Sequence, residues 1–175
     1  VEAHSNLGNT LKQLGKLDQA EVSYRKAIAL KPDYAEVHSN LAATLKNLGR
    51  LTDAEASCRK AITLKPDYAE SHNNLGITLL ELGKLDEAEA SCRKAIALKP
   101  AFAEAHYNLG NTLQELGRLH DAEASYEKAI ALKPDYAEAH NNLGITLQEL
   151  GRLHDAEASY GNAIALKPDY AEAHS

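Results

Sequence analysis

Two residue types recur along this chain with one fixed period, and that period restricts the folds open to it. Five prolines lie 34 residues apart, at Pro32, Pro66, Pro100, Pro134 and Pro168. Five glycines keep the same spacing, at Gly15, Gly49, Gly83, Gly117 and Gly151. Such a period is typical of proteins in which one small unit stacks on the next. The sequence therefore divides into five copies, residues 1–34, 35–68, 69–102, 103–136 and 137–170, and residues 171–175 begin a sixth.

Each copy has the pattern of two amphipathic helices separated by its glycine. In the first half of copy one, packing residues recur at three- and four-residue steps, at His4, Leu7, Gly8, Leu11 and Leu14. The second half repeats this spacing at Ala20, Tyr24, Ala27, Ile28 and Leu30. The glycine stands where a first helix would end with a left-handed residue. The pattern predicts an all-α fold built from helix-turn-helix units.

We expect side-chain caps at the helix starts. Asp33 and Glu36 have the spacing of a capping box, and three later pairs repeat it, Asp67/Glu70, Asp135/Glu138 and Asp169/Glu172. For the second helices we assign the cap to Asp18, Thr52 and Asp86. Copies four and five carry His120 and His154 at that position, so those two helix starts should be weaker by about 1 kcal/mol each.

Composition excludes several classes of protein. The 175 residues carry a formal net charge of -6, which disfavours a surface that binds nucleic acid. No apolar run approaches the length of a membrane span, so we expect no membrane partner. Two cysteines, Cys58 and Cys92, are too few for a disulfide framework and favour a cytoplasmic protein. The chain contains no methionine and begins inside the repeat pattern, so we expect a piece of a longer protein.

The motif His4-x-x-Leu7-Gly8-x-x-Leu11, followed by Ala20-x-x-x-Tyr24, Ala27 and Pro32, resembles the signature of the tetratricopeptide repeat (TPR) family. Segments such as Val37-His38-Ser39-Asn40-Leu41-Ala42 are especially similar to the TPR arrays of O-linked N-acetylglucosamine transferases and related bacterial proteins. The resemblance implies a single array across residues 1–175. It also implies a right-handed superhelical solenoid, with a concave groove lined by the first helix of each copy.

Differences between copies indicate which residues of that face could read a partner. In the first helices, copies four and five differ only at Tyr107/Asn141 and Asn111/Ile145, four residues apart and so on one face. Net charge changes from +1 in each of the first two copies to -3 in each of the last two, so the groove should run from basic to acidic. An ordinary solvated face is the alternative. The candidate peptide-binding residues on this face are Asn9, Lys12, Lys46, Ile77, Leu80, Tyr107, Asn111 and Ile145.

One position of the same face is asparagine in every copy: Asn6, Asn40, Asn74, Asn108 and Asn142. A carboxamide offers both a donor and an acceptor. In the arrays of O-linked N-acetylglucosamine transferases the matching asparagines form a ladder along the main chain of a bound peptide. The resemblance carries that role to these five residues. The alternative is that each amide bonds its own backbone or a neighbouring repeat.

These patterns favour a protein-protein interaction scaffold that binds an extended peptide or a partner helix in its groove. The sequence has no nucleophile motif and no phosphate-binding loop, so we expect neither enzyme activity nor a cofactor. Histidines one repeat apart cannot share a metal ion, and Cys58 and Cys92 are too far apart for a disulfide. Two alternatives remain open, the substrate-recognition arm of a larger enzyme such as a glycosyltransferase, and a module that self-associates head to tail.

Overall fold

The computed structural model describes residues 1–167, which form α-helices joined by short turns. No β-strand occurs within that range. The prediction of an all-α helical-repeat fold is therefore confirmed. The helices are α1 Glu2–Gln13, α2 Leu17–Leu30, α3 Ala35–Asn47, α4 Leu51–Leu64, α5 Ala69–Glu81, α6 Leu85–Leu98, α7 Ala103–Glu115, α8 Leu119–Leu132, α9 Ala137–Glu149 and α10 Leu153–Leu166. The sixth copy expected at residues 171–175, Pro168 and the Asp169/Glu172 pair lie outside the described residues.

The helices group into two compact units. The first unit, Val1–Leu98, contains α1 to α6, and the second, Lys99–Ser175, contains α7 to α10. Within each unit an odd-numbered helix packs against the even-numbered helix that follows it, and that helix packs against the next odd-numbered one. We call the odd-numbered helices first helices and the even-numbered ones second helices. The division into five copies of one continuous array stays a prediction.

Glycine ends every first helix in the way that the sequence predicts. Gly15 has a φ of 72°, and the four equivalent glycines also lie in the left-handed region. The N–H of Lys16 donates to the carbonyl of Leu11 at 2.9 Å, and the N–H of Gly15 donates to that of Lys12 at 3.0 Å. These two bonds form a Schellman motif, which satisfies carbonyls that the helix end would otherwise leave unpaired.

The capping boxes predicted for the first helices are wrong. Helices α3, α5 and α9 begin one residue later than predicted, and their N-cap residue is a tyrosine that makes no side-chain cap bond. The aspartate of each expected pair therefore stands one residue before the cap. A different polar contact secures this turn, because His38 Nε2 donates to the carbonyl of Pro32 at 2.9 Å. His72, His106 and His140 repeat the contact with Pro66, Pro100 and Pro134.

The predicted caps of the second helices are also misplaced. Helix α2 begins at Leu17 with Lys16 at its N-cap, so Asp18 lies inside the first turn. Thr52 and Asp86 lie inside the first turns of α4 and α6 in the same way. The equivalent His120 and His154 consequently replace no cap, and the weakening expected there does not follow. Helices α8 and α10 instead have Asp121 and Asp155 in their first turns, where the helix dipole favours negative charge.

A close approach between a glycine and a tyrosine sets the packing of the two helices in three copies. Tyr24 and Tyr126 are fully buried, and their rings lie against Gly8 and Gly110 of the preceding helix. A Cβ atom added at Gly110 would lie 2.5 Å from Cε1 of Tyr126, well inside van der Waals contact. Gly144 faces Tyr160 with a similar lack of space. The first helix must therefore present a bare backbone wherever the second helix carries tyrosine.

We predict that Gly110→Ala lowers the free energy of unfolding by about 1–3 kcal/mol, because the new methyl group displaces the buried ring of Tyr126. Gly161→Ala is the matched control, since Gly161 lies in α10 with nothing within 4 Å of an added Cβ. That change should stabilise the protein by about 0.5–1 kcal/mol, as expected for glycine in an exposed helix. Urea denaturation followed by circular dichroism measures both, and equal effects would contradict the packing argument.

Candidate functional site

The first helices form the more closely packed side of each unit. In the first unit, α3 has Cα atoms within 8 Å of both α1 and α5, and in the second unit α7 approaches α9 in the same way. Among the described residues, no two second helices of the same unit approach that closely. Because the first helices are drawn together and the second helices are spread apart, the row of first helices is the inner side of each unit.

All thirteen predicted peptide-binding residues lie on first helices. Asn6 and Asn9 are exposed, whereas Asn108 is buried with 8% of its surface accessible. The others are half-buried: Asn40, Asn74, Asn142, Lys12, Lys46, Ile77, Leu80, Tyr107, Asn111 and Ile145. The structure divides them between the units, with Asn6 to Leu80 in the first and Tyr107 to Ile145 in the second. Their role in binding stays a prediction.

The recurring asparagines use their amide nitrogens between neighbouring copies. Asn40 Nδ2 donates to Asn9 Oδ1 at 3.2 Å, and Asn74 Nδ2 donates to Ser39 Oγ at 3.1 Å. The alternative that the sequence left open, a bond to the neighbouring repeat, is thus present at these positions. The Oδ1 atoms of Asn40 and Asn74 accept no hydrogen bond within residues 1–167. These two asparagines offer an incoming group an acceptor, while each amide nitrogen already donates to a neighbouring copy.

Buried tyrosine hydroxyls hold two further asparagines of the face. The hydroxyl of Tyr24 donates to Asn9 Oδ1 at 2.7 Å, and that of Tyr126 lies 2.8 Å from Asn111 Oδ1 and 2.9 Å from Gln114 Oε1. Burial raises the pKa of Tyr24 to about 12, so its hydroxyl keeps the proton that it donates. Asn111 also accepts from Nδ2 of Asn142 at 2.9 Å. These contacts give Asn9 and Asn111 a packing role that the comparison of copies did not predict.

A sequence signal for this link exists. Asparagine occurs at the position of Asn9 only in the two copies that pair it with Tyr24 or Tyr126. Copies two and three have Ala43 and Ile77 there, together with Cys58 and Cys92 in place of tyrosine. Copy five keeps Tyr160 but has Ile145, and the Tyr160 hydroxyl donates instead to Gln148 Oε1 at 3.0 Å. The residues at the two positions therefore vary together in four of the five copies.

The two units differ in the charge of their inner sides. In the first unit, burial and then the charge of Lys46 lower the pKa of Lys12, and Lys46 Nζ lies 3.5 Å from Glu81 Oε1. Helices α7 and α9 of the second unit contain no lysine or arginine, and their C-terminal ends carry the exposed Glu115 and Glu149. The inner side of the first unit thus carries Lys12 and Lys46 together with Glu81, whereas α7 and α9 of the second unit carry carboxylates and no lysine or arginine.

Aromatic rings cluster on the inner side of the second unit. The ring centroid of Tyr107 lies 4.9 Å from that of Tyr136 and 5.9 Å from that of Tyr126. Such centroid distances are typical of tilted aromatic pairs. The Tyr107 hydroxyl accepts a hydrogen bond from Asn142 Nδ2 at 3.1 Å. Tyr107 therefore joins the aromatic cluster to the asparagine position of the next helix.

Histidines and cysteines show a structural role. The four histidines that contact proline carbonyls stand one repeat apart, and no group of three His, Cys, Asp or Glu side chains within residues 1–167 is placed to hold a metal ion. Cys58 and Cys92 are buried and form no disulfide, and burial raises the pKa of the Cys58 thiol to about 12. A thiol that stays protonated is a poor nucleophile. None of the described helices combines the length and hydropathy that a bilayer crossing requires.

Sequence profiles of one family match most of the chain. The profile described as TPR repeat matches residues 8–49, 78–117 and 110–151. Two profiles described as tetratricopeptide repeat match residues 57–90, and residues 35–68 and 137–170. The chain belongs to the tetratricopeptide repeat family. The search of curated proteins found no significant match.

Solved TPR structures resemble this chain over nearly its whole length. A thermophilic TPR protein of Thermus thermophilus is 27% identical with a TM-score of 0.82, and the match covers 95% of this chain and 91% of that one. MamA is 27% identical with a TM-score of 0.78, covering 94% and 96%. YrrB, a TPR protein with an unusual peptide-binding site, is 23% identical with a TM-score of 0.72, covering 95% and 86%. Family and fold together support a protein-protein interaction module.

We predict that Tyr24→Phe lowers the free energy of unfolding by about 1 kcal/mol, because it removes a buried hydroxyl that donates to Asn9 Oδ1. Tyr160→Phe is the matched change in a copy whose tyrosine bonds the exposed Gln148, and it should cost only a few tenths of a kcal/mol. Urea denaturation of the two variants measures the difference. A loss at Tyr160 as large as that at Tyr24 would show that the bond to Asn9 adds nothing.

Proposed function

We propose that this TPR chain is a scaffold that binds an extended peptide segment along the inner side of its first helices. The observation that carries the proposal is the pair of unbonded Oδ1 atoms on Asn40 and Asn74, which lie on successive first helices of one unit. A main-chain N–H of an extended segment is the donor that such a row of acceptors suits. Because every residue except proline carries that N–H, binding should tolerate many side chains.

Half-buried apolar side chains support the same proposal. Ile77 and Leu80 lie on α5 in the first unit, and Ile145 lies on α9 in the second. A bound segment would cover these side chains and gain the free energy of removing them from water. YrrB shows that a fold of this kind can carry a peptide-binding site. A partner helix would present apolar side chains to the same residues but no free main-chain donors, so the amides favour an extended partner.

Binding to an array of unstructured peptides tests the proposal. The native chain should bind many peptides of unrelated sequence, and the variant Asn40→Ala/Asn74→Ala/Asn108→Ala should lose about tenfold or more in affinity across all of them, because each lost hydrogen bond contributes about 1 kcal/mol. The matched control is Asn47→Ala/Asn162→Ala, which removes amides from exposed positions outside the asparagine row.

The helicity and the urea midpoint of each variant are measured before binding. This step is needed because Asn74 also donates to Ser39 of the preceding copy, so its loss can destabilise the fold. A folded variant that binds like the native chain would move recognition to the residues that differ between copies, such as Tyr107 and Lys46. No binding by the native chain to any peptide would overturn the proposal. The absence of enzyme activity, the role of substrate-recognition arm, the exclusion of nucleic acid and the cytoplasmic location all stay predictions.

Head-to-tail self-association is a second candidate function, supported by exposed apolar side chains on α1 and α10. Leu7 is 48% exposed, whereas the equivalent Leu41 is 3% exposed because the preceding copy covers it. Leu153 and Ile164 of α10 are 65% and 45% exposed. Helix α1 of a second molecule would cover α10 by the same contacts that α9 makes with α8 within one chain.

We predict that the sedimentation coefficient of the chain rises with protein concentration, because α1 of one molecule and α10 of another bury these apolar side chains together. The variant Leu7→Ser/Ile164→Ser should remain monomeric at every concentration. Leu30→Ser is the control, since Leu30 is 62% exposed yet lies on α2. A native chain that sediments as a monomer throughout would remove this candidate.

A further inference from the structure

A groove lies on the outer side of the first unit, the side formed by its second helices. It separates α4 from α6 and has a volume of about 480 Å³. Its floor is Leu75 of α5 and the ring of His72, which the hydrogen bond to the Pro66 carbonyl holds in place. Ile62 of α4 adds a half-buried apolar wall. Known ligand sites have volumes of this order, and none of the candidate peptide-binding residues on the first helices lines this groove.

Two basic side chains line the groove and keep donors that the fold does not use. Arg59 Nη2 lies 2.8 Å from Glu55 Oε1 and 2.7 Å from Glu87 Oε2. The Nη1 group of Arg59 has no hydrogen-bond partner within residues 1–167. Lys94 is exposed, and no ion pair or hydrogen bond engages its ammonium group in that part of the chain. An anion in the groove would therefore meet available charged donors.

A buried hydroxyl on the same wall points to the same ligand chemistry. Ser91 of α6 lines the groove with only 9% of its surface exposed, and its Oγ atom makes no hydrogen bond to another described residue. The equivalent Ser57 and Ser125 instead donate to the carbonyls of Asp53 and Asp121 in their own helices. A hydroxyl that is nine-tenths buried and has no protein partner suits an acceptor that enters the groove.

We propose that this groove is a second docking site, which binds an acidic segment of a partner protein. A carboxylate of the segment accepts hydrogen bonds from Lys94 Nζ and Ser91 Oγ. An apolar side chain beside the carboxylate packs on Ile62 and Leu75 and gains the free energy of leaving water. The site does not depend on the peptide binding proposed for the inner side, because it is built from other residues on the opposite side of the unit.

Charge complementarity identifies the partner as acidic and directs it to the first unit. Glu127 and Asn162 of the second unit stand at the positions of Arg59 and Lys94, so the two cations are replaced by a carboxylate and a neutral amide. Residues 1–98 contain 13 basic and 13 acidic residues, and the formal net charge of -6 therefore belongs to residues 99–175. An acidic segment is repelled by the second unit and meets no such repulsion at the first. The apolar floor favours a protein over a nucleic acid, whose phosphates carry no apolar side chain.

Isothermal titration calorimetry with short end-capped peptides tests the proposal. The probe has glutamate next to leucine in an otherwise uncharged sequence, and the comparison peptide has glutamine in place of glutamate. Both peptides offer the same main chain to the inner side, so the difference between their affinities reports the carboxylate. The native chain should bind the glutamate peptide about tenfold or more tightly, because hydrogen bonds between charged groups are stronger than neutral ones.

Reversing one charge in the groove should remove that preference. Lys94→Glu places a carboxylate where the proposed salt bridge forms, and the exposed side chain has no partner whose loss would unfold the protein. Lys26→Glu is the matched control, because Lys26 is the equivalent residue of α2 and is also exposed and unpaired within residues 1–167. No second helix precedes α2 in this chain, so Lys26 lines no groove of this kind and its replacement should leave the preference unchanged.

Two further variants locate the contact. Ser91→Ala should weaken binding of the glutamate peptide about threefold or more, through the loss of one hydrogen bond. Asn40→Ala/Asn74→Ala/Asn108→Ala should keep the preference for glutamate, since these amides lie on the inner side. A preference that is absent from the native chain, or that survives Lys94→Glu, overturns the proposal and leaves the inner-side proposal untouched. A single-stranded oligonucleotide that binds the native chain more tightly than the peptide, and loses affinity in Lys94→Glu, overturns the assignment to a protein partner.

Discussion

The contact of a tyrosine ring with a glycine backbone is the constraint on which the rest of this structure depends. Tyr24 and Tyr126 are fully buried, and no Cβ fits opposite either ring. The missing side chain lets the ring cross the helix interface and carry its hydroxyl through to the inner side of the unit, where it meets Asn9 or Asn111. One packing contact thus brings the helices together and also orients an amide on the face that a partner would meet. Core and candidate site cannot be changed independently in these copies.

Copies two and three show what happens when that contact is absent. Cys58 and Cys92 are too short to reach the inner side, and the position of Asn9 becomes Ala43 or Ile77. An asparagine at that position would lack the tyrosine hydroxyl that donates to its amide oxygen. An apolar residue there therefore costs less folding free energy. Asn74 accordingly donates to Ser39, its other neighbour. The recurring asparagine is the same residue in every copy, yet its bonding differs because the residues packed around it differ.

The sequence predicts features set by one residue better than features set by packing. Gly15 ends α1 as expected, because only glycine enters the left-handed region at so little cost. The caps were wrong because Asp33 meets the local pattern, whereas the bond from His38 to Pro32 and the tyrosine before Ala35 fix where α3 begins. Periodicity placed the candidate residues on one face of the first helices. It could not show that Asn40 bonds Asn9, which is 31 residues away, since that bond exists only once two copies are stacked.

Neighbouring copies are joined by different interactions on the two sides of a unit, by ion pairs on the outer side and by hydrogen bonds between neutral groups on the inner side. On the outer side, Arg50 before α4 pairs with Glu21 of α2, and Lys84 before α6 pairs with Glu55 of α4. The Lys84 hydrogen bond lowers the pKa of Glu55. Such exposed ion pairs contribute at most about 1 kcal/mol and weaken with salt. On the inner side, the bonds among Tyr24, Asn9 and Asn40 join neutral groups, which salt screens far less. The inner side therefore presents a surface whose geometry persists when the ionic strength changes, because the packing of Tyr24 and Tyr126 holds the amides of Asn9 and Asn111.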